Sequence, residues 1–141
     1  MRLIRTLLAL GTFTMAGANL QAQQQLPRDS MDLARKYTTW FYTGMADSLL
    51  ANMDSAFAAG KSIAEIEQAM AEVASRAGNE VEVLEEKFIT RNGMRHYWRS
   101  AKMDIMPEPF LLRWVMDSRG KIAGVGMGPL SGAPPIDPPK N

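Results

Sequence analysis

The chain has 141 residues, 46% of them hydrophobic, enough for one domain with its own core. It contains no cysteine, so no disulfide is available and stability must come from burial. A formal charge of +1 without a basic cluster argues against nucleic acid and anionic lipid surfaces as partners.

The first 22 residues stand apart from the rest. Met1 to Arg5 is basic, Thr6 to Gly17 is apolar and uncharged, and small-residue cleavage sites follow after Ala18 or Ala22. This pattern predicts a secretory signal peptide over 1–22, too short to span a membrane; an uncut N-terminal anchor is the competing reading. No cysteine follows the apolar run, which excludes a lipoprotein. The 16 basic side chains less Arg2 and Arg5 leave 14 against 15 acidic ones, a formal charge of −1 for the mature chain. The expected location is periplasmic or secreted, with no membrane span after cleavage.

Beyond Gln23, Asp29-Ser30 offers an N-cap for a helix over Met31 to Thr43, with Leu33, Ala34, Tyr37, Trp40 and Phe41 at helical spacing and Gly44 as a stop. A second short helix is expected over Asp47 to Met53, and Asp54 to Lys61 reads as a connection. Ser62-Ile-Ala-Glu65 is a capping box opening a third helix, whose stripe includes Ile63, Ile66, Met70, Val73, Ala74 and Ala77. Gly78 ends it.

Four extended segments follow: Glu80 to Arg91, Met94 to Met103, Phe110 to Asp117 and Lys121 to Met127. Asn92-Gly93 is a two-residue hairpin turn and Ser118-Arg119-Gly120 a three-residue one. The Pro/Gly-rich stretch over 130–141 reads as a disordered or extended tail. The fold class is therefore α+β: three N-terminal helices on a curved four-stranded antiparallel meander spanning 23–129.

The Asn-Gly corner sets the register of the first hairpin. Arg91 opposes Met94, and one face then carries Phe88/Tyr97, Glu86/Arg99, Leu84/Ala101 and Glu82/Met103. The other face carries His96, Lys87/Trp98 and Glu85/Ser100. The Val81-Val83-Leu84 run hints at a bulge. In the second hairpin Trp114 is expected opposite Gly124. Leu112, Trp114, Met116 and Ile122 then share one face, and Leu111, Val115, Ala123, Val125 and Met127 the other. Two apolar faces with helices for one of them point to a homodimer through the second.

Gly78-x-Glu80, Val83-x-x-Glu86, Tyr97-x-Arg99-x-Ala101, Trp114-x-x-Asp117 and Gly120-x-Ile122, placed after a capped helix, resemble the nuclear transport factor two-like superfamily. That group includes the SnoaL-type cyclases and ketosteroid isomerase, and the pattern is similar to an uncharacterised secreted branch of it. The resemblance covers about Leu33 to Pro129. It implies a cone with a pocket between the helices and the concave sheet face, used by relatives for small apolar or aromatic molecules.

The candidate ligand-binding residues are Tyr97, Arg99, Glu86, Phe88 and Trp114. Arg99 suits an anionic or polar ligand, and the competing reading is a Glu86–Arg99 pair that only fixes strand register. His96 is the sole histidine, so no His-based metal site or triad is assembled. Met103 and Met106 lack the His or Cys companion that a copper site would need, and Gly124-x-Gly126-x-Gly128 has no helix after it to make a dinucleotide site. No catalytic residue, metal or cofactor is assigned. The leading expectation is an exported pocket domain for a small apolar or anionic ligand, or an interaction module. An isomerase/cyclase-like enzyme using Tyr97 with Glu86 is one alternative, and an accessory domain binding an envelope protein through the apolar sheet face is another.

Overall fold

Four α-helices precede a four-stranded antiparallel sheet in the computed structural model, which describes residues 18–134, with side chains from Asp29 onward. The helices are α1 (Ala18–Tyr42), α2 (Ala46–Ala51), α3 (Ser55–Ala58) and α4 (Ile63–Ala77). The strands β1 (Glu80–Arg91), β2 (Met94–Met103), β3 (Phe110–Met116) and β4 (Ile122–Pro129) pair in sequence order. Most of the expected leader (residues 1–17) and the end of the expected tail (135–141) lie outside the described residues. No helix among the described residues is long and apolar enough to cross a membrane.

Local signals account for most boundaries. The capping box forms at α4, where Ser62 Oγ accepts from the Glu65 N–H and Glu65 Oε2 accepts from the Ser62 N–H. Gly44 closes α1 with φ +76°, and the Met45 N–H reaches back to the Trp40 carbonyl as in a Schellman motif. Asn92 and Gly93 both take positive φ, the I′ turn expected of that pair.

Several expectations need correction. α1 does not begin at an Asp29-Ser30 cap; it runs through that pair, and Ser30 is buried with its hydroxyl accepting from Arg95 Nη1 on β2. The connection after Asp54 contains the four-residue α3, because the Asp54 carboxylate caps the Phe57 N–H. On α4 the stripe is narrower than expected: Ile66, Met70 and Ala77 are buried, whereas Ile63 and Ala74 are exposed. The expected tail is ordered at its start, where β4 continues to Pro129 and a 3-10 turn over Leu130–Gly132 follows. The Leu130 N–H there bonds the Pro109 carbonyl and Ser131 Oγ bonds Glu108.

The first hairpin keeps the expected register from Arg91/Met94 to Glu85/Ser100, and then slips twice. Val83, not Leu84, opposes Ala101, and Glu82 opposes Lys102 rather than Met103. Glu80 takes the place opposite Met103. In the second hairpin a bulge beside Val115 moves Trp114 opposite Val125 and leaves Gly124 under Val115. Val125 therefore packs against the core instead of lying on the outer face. On the outer face β4 carries three glycines, Gly124, Gly126 and Gly128, where Ala123, Val125 and Met127 were expected, so that face is less apolar than the sequence pattern implied.

The core sits between the helices and the inner sheet face, and its largest fully buried side chains include Trp114, Tyr37, Tyr97, Leu49 and Met116. Burial of each aliphatic member contributes roughly 1.5–3 kcal/mol. Two polar ties orient the aromatics: Tyr37 donates to the Gly120 carbonyl at 2.7 Å, and Trp114 Nε1 donates to Thr38 Oγ1 at 3.0 Å. These contacts lock α1 to the β3–β4 turn.

Candidate functional site

Two arrangements inside the fold compete for the role of site. The first is the carboxylate–guanidinium cluster. Glu86 and Arg99 stand opposite each other on β1 and β2, with Arg99 Nη1 2.9 Å from Glu86 Oε1. The cluster is larger than the sequence pair. Arg35 on α1 donates to both Glu86 oxygens at 3.1 and 2.9 Å, and the Tyr97 hydroxyl donates to Oε1 of the same carboxylate. Glu80 holds the other edge of Arg99, accepting from Nε at 3.0 Å and from Nη2.

Two cations and two carboxylates thus neutralise one another. The hydrogen bonds from Arg35, then those from Tyr97 and the charge of Arg99, hold the Glu86 carboxyl down at about 2 against the cost of burial. Burial, and then the bond to Glu86, push the Tyr97 hydroxyl up to about 12. The bonds that Arg99 donates to Glu80 raise it further above its ordinary value. A carboxylate held at about 2 is a weak proton acceptor at neutral pH, and a hydroxyl near 12 is a weak acid. Every edge of the Arg99 fork already faces an acceptor of the chain. The chemistry of this cluster is that of a tie between α1, β1 and β2.

The second arrangement is an apolar cavity of about 280 Å³ between α2–α4 and the β3–β4 half of the sheet. Phe41, Leu49, Phe57, Ile66, Trp114 and Val125 provide its walls, and Lys61 and Glu65 are the charged residues in its lining. Glu65 is occupied by the capping box. Lys61 lies 4.0 Å from the Phe57 ring centroid and donates to the Phe57 carbonyl. The bulge in β4 supplies one wall of this cavity, since it turns Val125 inward beside Trp114.

Of the five residues singled out from sequence, Tyr97, Arg99 and Glu86 come together in the ionic cluster, and Phe88 packs against the core. Trp114 alone lines the apolar cavity. Sequence reasoning missed Arg35 and Glu80 in the cluster. The signal for Glu80 was the crowding of Glu80, Glu82, Glu85 and Glu86 on one strand against a single inward Arg99. No family profile, curated protein or solved structure matches this chain.

Proposed function

We propose that the chain is an exported binding domain of the nuclear transport factor two-like kind, a cone that holds a small, mainly apolar ligand without catalysis. The observation that carries this reading is the 280 Å³ cavity with its aromatic and aliphatic walls. Ligand sites are concave, mostly apolar and supplied with few polar groups, and this cavity has that composition. Lys61 at its lining favours a ligand whose polar end is neutral or singly anionic. The Tyr97–Glu86 pair, which an isomerase-like reaction would need as its acid and base, is committed to the ionic tie instead.

Titration with the neutral fluorophore N-phenyl-1-naphthylamine tests the reading. A saturable signal of one probe per chain is expected. Ala69, half-buried in the cavity lining, gives room for a plug: Ala69→Phe should weaken the probe at least tenfold while leaving the thermal unfolding midpoint close to that of the parent. Linear, unsaturable uptake, or equal affinity in the Ala69→Phe chain, overturns the proposal.

A further inference from the structure

The outer face of the sheet holds a cation that forms no ion pair among the described residues. Arg113 stands on β3 between Trp98 of β2 and Gly126 of β4. Its guanidinium carbon lies 5.1 Å from the Trp98 ring centroid, a cation–π contact. Gly126 makes room for it: a Cβ there would come within 3.3 Å of Nε and 3.4 Å of Nη2. Among the described residues Arg113 has no carboxylate partner, and its buried Nε has no acceptor.

Trp98 shares this condition. The residue is 5% exposed, and its Nε1–H has no acceptor among the described residues. Buried donors are almost always satisfied, and an unsatisfied one costs about 1–3 kcal/mol. The same two residues line a cavity of about 280 Å³, closed at its other side by Leu111, Pro129 and Pro134. The 3-10 turn after β4 brings the prolines there, so the ordered start of the C-terminal segment builds one wall.

The surroundings are electropositive. Next along the outer face, His96 is kept below its ordinary pKa by burial first and then by the charges of Arg113 and Arg91. Lys87, opposite Trp98, is balanced by Glu85 at 3.0 Å, which leaves that carboxylate occupied.

We infer that this outer cavity is a second binding site, for a small carboxylate with an apolar body, held by the Arg113 guanidinium where it lies over the Trp98 ring. One guanidinium matches a single negative charge, and a carboxylate offers two acceptor oxygens in the plane of the guanidinium fork. A phosphate would bring more charge than one cation balances. The leucine and proline walls suit an aliphatic or aromatic body of a few carbons. The carboxylate has two possible sources, a free molecule or Asp137 of the same chain, three residues beyond Pro134 in the sequence; the proposal is for the free molecule.

Two-dimensional ¹H–¹⁵N spectra of the full chain with benzoate as the probe test it. The indole signal of Trp98 should move saturably, while that of Trp114, already bonded to Thr38, stays in place. Benzyl alcohol, the uncharged analogue, should bind at least tenfold more weakly. Arg113→Gln should lose at least tenfold in benzoate affinity. Should that variant fail to fold, Gly126→Ala, which keeps the charge but displaces the guanidinium by a few tenths of an ångström, should still weaken benzoate measurably. An unmoved Trp98 signal overturns the proposal, as does equal binding of the alcohol or an affinity for benzoate unchanged by either substitution. A chain ending at Pro134 separates the two sources: benzoate binding that emerges only after truncation assigns the site to Asp137 and overturns the proposal for a free ligand.

Discussion

Replacing Glu86 with glutamine keeps the side chain's shape and removes only the charge that ties three elements together. In the folded protein this carboxyl titrates at about 2, against an ordinary 4.5. At 1.36 kcal/mol for each tenfold change in proton affinity, that difference corresponds to roughly 3 kcal/mol. The side chain is 19% exposed, and screening at that rim reduces the usable figure to about 2 kcal/mol. The sign follows from the depressed folded value. The stabilisation is complete above the unfolded value of 4.5 and is lost as pH falls towards 2. Urea unfolding of parent and Glu86→Gln at pH 7, 4.5, 3 and 2 should therefore give a gap of about 2 kcal/mol at neutral pH that closes by pH 2. Arg99 retains Glu80 in the variant, which keeps the loss below that of a cation left wholly unpaired. A gap that is constant across this range refutes the reasoning. So does a gap that closes near neutral pH, because the carboxyl would then be poised as a base and not fixed as a tie.

Gly78 has φ +80°, and a Cβ there would fall 1.8 Å from Asp104 Oδ1, the atom that accepts the Asn79 N–H. Gly78→Ala should cost at least about 2 kcal/mol in denaturant unfolding, against about 1 for Gly93→Ala, whose added methyl meets nothing within 4 Å; equal losses would refute the steric account. Tyr37→Phe removes a buried bond to the Gly120 carbonyl and should cost about 1–2 kcal/mol by calorimetry, with an unchanged midpoint counting against the tie between α1 and the β3–β4 turn. His96 should titrate by NMR below its ordinary 6.5, so its neutral form is favoured in the fold and stability declines as pH drops through that value; a midpoint at or above 6.5 would contradict the burial and positive charge assigned to the outer face.

The parts of this fold that were legible in the sequence are those whose signal is local. Asn92-Gly93 permits positive φ at two successive positions, and Ser62 with Glu65 satisfies two backbone donors within one turn, so neither depends on the rest of the chain. The pairing of Glu86 with Arg99 was legible for the same reason, since the turn carries the register that far. Asp29-Ser30 offered an equally good local signal and it lost. The Ser30 hydroxyl accepts from Arg95, 65 positions later in the chain, a contact that cap chemistry cannot anticipate.

The apolar cavity was illegible because it depends on a bulge. In β4 both alternating sets of residues are apolar, glycine or proline, so sliding that strand by a residue moves no polar side chain between the faces and leaves the pattern silent. What decides the register is volume: glycine lies under Val115 and under the Arg113 guanidinium, and Val125 fills the space beside Trp114. The same slip that removes Val125 and Met127 from the outer face supplies a wall of the inner cavity and clears the floor beneath Arg113. One irregularity of the backbone thus turns Val125 and Met127 towards the helices and sets glycine beside Arg113 on the outer face. Filling the outer rows again, by Gly124→Val with Gly126→Val, would press on Val115 and Arg113 and set the two registers against each other; that conflict is why the glycines stand where they do.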